Sequence, residues 1–105
     1  MIQHQQVEKR QHGVFGVIGD LSFESVPLVE KEGFAAISLC KKSDGNLIFD
    51  LSGLGHCSSA ALALLLSWLR KAHELEVVLS FRAVPEQLQA LINSAQLGDI
   101  LPLSK

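Results

Sequence analysis

LIFDLSGLGHCSSAALALLLSWLRK, residues Leu47 to Lys71, reads as a buried strand, a polar turn and an amphipathic helix in direct succession. Leu47–Leu51 is a short apolar run of strand type that stops at Asp50. A serine-bearing loop follows, and a helix begins at Ser58–Ser59 and runs to about His73. This order aims a polar turn and the positive end of a helix dipole at whatever docks there. At 100° per residue, Leu62, Leu65, Leu66 and Leu69 form the expected core face of that helix. Ala60, Leu64, Ser67 and Lys71 then lie opposite, with Ala63 and Trp68 towards the flanks. A face of small residues beside a helix N-terminus has the character of a flat protein-docking patch.

Outward from this segment, the elements alternate. Gln5–Arg10 and Val14–Ile18 flank His12–Gly13 and suggest a hairpin, its first strand polar enough for an edge, with Gly19-Asp20-Leu21 ending the second. Val26–Cys40 carries Val29, Gly33, Ala36, Ile37 and Cys40 at three- and four-residue steps, as a helix face would. Phe34–Cys40 alone also suits a strand, but Pro27 in a first turn and the Ser43-Asp44-Gly45-Asn46 stop favour helix. Glu76–Phe81 is a further strand. Pro85 begins a helix with Leu88, Leu91, Ile92 and Ala95 inward, closed by Gly98. Strands alternating with helices imply an α/β domain, with a mixed sheet of four or five strands and helices mainly on one face.

The 105 residues fit one domain, residues 1–105, and 48% apolar content supplies one core. Nine basic against eleven acidic side chains leave a net charge of −2, so no basic face points to nucleic acid. The Lys41–Lys42 pair reads as a solvated helix end. The N-terminal MIQHQQVEKRQHG has no apolar core and is not of secretory type, and Ala60–Leu66 is too short to span a bilayer. No direct membrane insertion is expected. Cys40 and Cys57 are too few for a disulfide framework or a zinc site, which suits a reducing, cytosolic location. His4, His12 and His73 lack ligand spacing, so neither a metal nor any other cofactor is expected.

Several residues invite sharper readings. Either Ser58 or Ser59 suits the N-cap of the long helix, accepting an orphan backbone N–H. Cys57 or a serine with His56 could suggest a nucleophile and base, as in a small hydrolase. Adjacent residues rarely align productively, however, and no orienting carboxylate or Gly-x-Ser-x-Gly elbow accompanies them. Cys57 is expected in the core, His56 in a loop, and Trp68 at a core edge. Asp20 and Asp50 are expected to close strands and satisfy loop N–H groups. A small anionic ligand at the helix N-terminus is a further possibility.

The segment Phe49-Asp50-Leu51-Ser52-Gly53-Leu54 resembles the signature of STAS domains, the fold of bacterial anti-sigma factor antagonists. Gly19-Asp20-Leu21 is similar to their early Gly-Glu-Leu turn, and Gly98-Asp99-Ile100-Leu101-Pro102 to their closing segment. Within that family, Leu62–Leu66 and Leu21-Ser22-Phe23-Glu24-Ser25-Val26-Pro27 are most similar to STAS subunits of Mla-type phospholipid ABC transporters. That likeness implies a noncatalytic cytoplasmic subunit, held at the inner membrane through the complex. It would bind the transporter's ATPase, beside a permease, in intermembrane lipid transport that maintains outer-membrane lipid asymmetry. The alternative within the fold is an anti-sigma factor antagonist switched by a serine kinase. Aligned on Asp50-Leu51-Ser52, Ser58 stands where the family usually has Asp, and Ser59 at the phosphorylatable position. Ala60 and Ala61 take the small positions that follow. The resemblance thus implies Ser59, Ser58 and the outer helix face as the partner surface.

Overall fold

The computed structural model describes residues 6–104. Five strands and three helices follow in the order β1 (Val7–Gln11), β2 (Val14–Leu21), α1 (Val26–Lys41), β3 (Asn46–Cys57), α2 (Ala60–Glu74), β4 (Val78–Arg82), α3 (Glu86–Ser94) and β5 (Leu103–Ser104). The sheet order is β1-β2-β3-β4-β5. The β1–β2 hairpin is antiparallel and the other three pairs are parallel. β3 is central and β1 an edge, as expected. Gln5, the expected first residue of β1, lies outside the described residues.

The position of the helices follows from chirality. Each parallel pair is joined through one helix, and such crossovers are right-handed. Because β2 to β5 are laid down in one spatial direction, every right-handed crossover lifts its helix onto the same face. That face carries Phe15, Phe49 and Phe81 in register across three strands, and Leu47, Leu51 and Leu79 beside them, all buried. Alternation along β3 and β4 turns Ile48, Asp50, Val78, Ser80 and Arg82 to the other face.

The helix expected at Val26–Cys40 is present and runs one residue further, to Lys41, with Val29, Gly33, Ala36, Ile37 and Cys40 inward. Gly33 is needed for space rather than for turning. A Cβ there would overlap the indole of Trp68, which is fully buried between the helices and the sheet. Trp68 stacks on Phe49 with ring centroids 4.3 Å apart and donates its Nε1–H to the Glu30 carbonyl at 3.2 Å. It therefore sits at the centre of the core, not at its edge.

Three element ends depart from the sequence reading. The central strand does not stop at Asp50 but continues to Cys57. Residues 52–57 pair with the end of β2 through two register shifts, Ile18 opposite Gly53 and Leu21 opposite Cys57. Glycine and polar side chains conceal such a bulged strand from pattern reading, because the backbone ladder carries it. β4 starts at Val78, since Glu76 (φ 59°) belongs to the end of α2, where Val77 N–H bonds the Ala72 carbonyl. α3 ends at Ser94 with Ala95 exposed. Its left-handed residue is Gln96 (φ 58°) rather than Gly98, and Leu97 N–H bonds the Ile92 carbonyl. Both ends are Schellman closures that place an ordinary residue where glycine is usual.

Candidate docking end of α2

The C-terminal ends of the parallel strands bring together the β2–α1 turn, the end of β3 and the N-termini of α2 and α3. Asp20 Oδ1 accepts the His56 N–H at 2.8 Å, tying β2 to the bulged part of β3. Gly55 lets this happen, since a Cβ there would collide with the same Asp20 oxygen. Ser58 N–H donates to the Leu21 carbonyl at 2.8 Å, and Cys57 N–H to Gln87 Oε1 of α3 at 3.0 Å. Gln87 Nε2 also lies 3.3 Å from His56 Nδ1. The turn entering α2 is therefore fixed from both neighbouring segments.

The serines divide the expected roles between them. Ser59 is the cap by position, yet its own backbone is already helical (φ −62°, ψ −18°) and its hydroxyl makes no capping bond. Ser58 Oγ accepts the Ala60 N–H at 3.2 Å instead. The capping chemistry thus falls one residue earlier, and the exposed Ser59 makes no side-chain capping bond among the described residues. Phe23, 70% exposed, stands in the β2–α1 turn at the same end of the sheet.

The face of α2 is rotated from the expected one. Ala60, Ala61, Leu64, Leu65, Trp68 and Ala72 are the buried residues, so Ala60 and Leu64 do not line an outer surface. Ser67 and Lys71 lie in the seam with α1. Ser67 Oγ donates to Glu30 Oε2 at 2.6 Å, and the Lys71 ammonium sits 5.5 Å from the centre of the Phe34 ring. The outward stripe is Ser59, Ala63, Leu66 and Arg70, one residue back and so about 100° around the helix. Leucine abundance misled the pattern: Leu62, Leu66 and Leu69 are only partly covered, while Ala61 and Ala72 lie against the sheet because they are small.

Cys57 is buried, and its thiol is pushed above the ordinary value by burial and then by the Asp20 carboxylate. It is neither exposed nor activated, against the requirements for a nucleophile. Alkylation of Cys57 at neutral pH should proceed only as fast as the domain opens. Rapid stoichiometric labelling of the folded protein, read by mass spectrometry, would contradict this geometry. Among the described residues no cluster of metal-ligating side chains is present, and His4 lies outside them.

Asp50 does not close β3 as expected but lies within it, where it accepts the Ser52 N–H at 2.9 Å and binds Arg82 Nη2 at 3.1 Å. Ser52, through its hydroxyl and N–H, and then Arg82 hold its carboxyl well below the usual range, at about 2. A folded-state value below the unfolded one contributes stability that is complete above about pH 4 and disappears as pH falls towards 2. Asp50→Asn should therefore destabilise the domain by about 1–2 kcal/mol at neutral pH and have little effect at pH 2. Thermal melts of both proteins across that range check the prediction.

The fold is that of a STAS domain. The chain belongs to the family described as "Mlab, STAS domain", whose profile matches residues 4–102. Among solved structures, it is 33% identical to a chain of the Acinetobacter MlaFEDB complex in its ATP-bound Vtrans2 conformation, with a TM-score of 0.74. That match covers 87% of this chain and 93% of the other. An anti-sigma factor antagonist from Mycobacterium paratuberculosis is 24% identical, with a TM-score of 0.73 over 92% of this chain and 80% of its own. One assigned as such from Thermotoga maritima is 16% identical, with a TM-score of 0.73 over 92% and 83%. Among curated protein sequences none matches. STAS domains are generally noncatalytic regulatory or scaffold modules.

Proposed function

We propose that this chain is the STAS subunit of an Mla-type phospholipid ABC transporter, a noncatalytic cytoplasmic module that docks on the ATPase. The observation that carries this reading is the 33% identity, along most of both chains, to a component of an ATP-bound MlaFEDB assembly. The antagonists, at 24% and 16%, share the fold alone. The docking surface in this reading is the Ser59 end of α2 with its stripe of Ala63, Leu66 and Arg70, joined by Phe23. No helix among the described residues is long and apolar enough to cross a membrane, so attachment to the transporter would supply its membrane location.

The test is co-purification of the tagged chain with the ATPase and permease encoded beside it. A stable complex, lost in Ser59→Asp, is the expected result. Failure to bind that ATPase, together with tight binding to a neighbouring serine kinase that phosphorylates Ser59, would instead establish the antagonist reading. The exposed Ser59, which makes no capping bond among the described residues, is the observation that favours that second reading.

A further inference from the structure

The face of the sheet turned away from the helices is uncovered, and Val78 within it is 68% exposed. It is also flat. At Gly16 a Cβ would overlap the Arg10 guanidinium, which lies across that strand, and at Gly53 a Cβ would collide with the Ile18 side chain. Register puts Glu8, Gly16, Asp50 and Arg82 at one level on β1, β2, β3 and β4. With Arg10 laid over Gly16, the row reads minus, plus, minus, plus from β1 to β4. Of the charged strand residues on this face, only Asp20 lies outside the row, at the far end of β2, where it accepts the His56 N–H.

The row is paired within the chain, yet it keeps bonding capacity in reserve. Arg10 uses Nε alone, on Glu8 Oε1 at 3.2 Å, so its two Nη groups and Glu8 Oε2 make no hydrogen bond among the described residues. Arg82 directs Nε and Nη2 to a single oxygen, Asp50 Oδ2, at 3.3 and 3.1 Å, and its Nη1 makes none. Alternation of sign then decides the partner. A uniformly acidic or basic surface is repelled by half of the row, and an apolar one would desolvate two ion pairs for no new bond.

The surface that fits is a flat one repeating the row in reverse order, and the chain's own face becomes one when turned about a two-fold axis. The axis runs parallel to the strands, between β2 and β3. That rotation keeps each residue at its level while exchanging β1 with β4 and β2 with β3. Glu8 of one copy then meets Arg82 of the other, and Arg10 meets Asp50, each contact occurring twice. Ile48 comes over Val14, and Ile18 over Gly53, their register neighbours. We infer that this face joins a second copy of the chain in a symmetric sheet-on-sheet dimer. Four strands at about 4.8 Å, each about five residues of about 3.3 Å, overlap over about 19 by 17 Å. That is well below the roughly 800 Å² per partner of a standard interface, so the dimer is weak and reversible. The helix layer stays on the outside, which leaves the Ser59 end of α2 open. This inference therefore does not rest on the transporter reading.

The test is sedimentation equilibrium of the full chain at loadings up to about 1 mM in low salt, with backbone amide resonances followed over the same range. A monomer–dimer equilibrium is expected, with concentration-dependent shifts centred on Glu8, Gly16, Asp50 and Val78, and it should weaken as salt is raised. Exchanging the two β1 charges, Glu8→Arg with Arg10→Glu, keeps the composition, the net charge and the pair within the strand. It nevertheless sets like charge against like in every contact between the copies. The exchange should raise the dimer dissociation constant at least tenfold and leave the melting temperature unchanged. Glu8→Arg alone, a single exposed substitution, should act in the same direction, and Ser59→Asp should have no effect. The inference is overturned if the chain stays monomeric throughout, or if neither β1 variant weakens association. It is also overturned if the concentration-dependent shifts fall on α2 instead of the open face.

Discussion

Leu64→Glu should yield no folded protein. Leu64 is fully buried, in the α2 face packed against the sheet and one turn from Trp68. Truncating such a leucine to alanine alone costs about 2–5 kcal/mol. A carboxylate adds the cost of a buried, unpaired charge, itself several kcal/mol, in surroundings that contain no buried cation among the described residues. The sum, about 5–10 kcal/mol, is most or all of the roughly 5–15 kcal/mol that holds a small domain together. Circular dichroism and amide dispersion should show a collapsed or aggregated chain. Ala63→Glu, one residue away but exposed, should melt within about 1 kcal/mol of the parent. A folded Leu64→Glu protein would disprove the orientation of α2.

Ser59→Asp should separate binding from folding. The Ser59 hydroxyl makes no capping bond, so its loss removes no intramolecular support. A carboxylate at the start of α2 gains about 0.3–1 kcal/mol from the helix dipole, so the melting temperature should hold or rise slightly. In a close-packed interface with an ATPase, the same charge would be desolvated without a counterion, at several kcal/mol. That corresponds to a loss of affinity of a hundredfold or more. Phosphorylation at Ser59 would act in the same direction with a charge of about −1.5 to −2. Calorimetric titration of the parent, Ser59→Asp and Ala63→Glu against the transporter ATPase reads the effect. Unchanged affinity in both folded variants would place the docking surface elsewhere.

The sequence by itself determined the alternation of elements, the helix at Val26–Cys40 and the central place of Leu47–Leu51. Each rests on local periodicity and on turn residues such as Pro27 and Gly45. It also carried the resemblance to STAS domains and marked Asp20 and Asp50 as backbone N–H acceptors, though the N–H groups they accept belong to the extended β3 rather than to a loop. Only the tertiary structure decided the rest. The bulged continuation of β3 to Cys57 depends on backbone pairing with β2, which side-chain patterns do not record. The rotation of α2 was open because leucines line more than one side of that helix. Periodicity says that a helix is amphipathic, but packing selects which face is buried. Here the selection comes from Trp68, whose indole needs both the notch at Gly33 and the ring of Phe49. Seating it turns Leu64 inward and leaves Ser59, Ala63, Leu66 and Arg70 towards solvent.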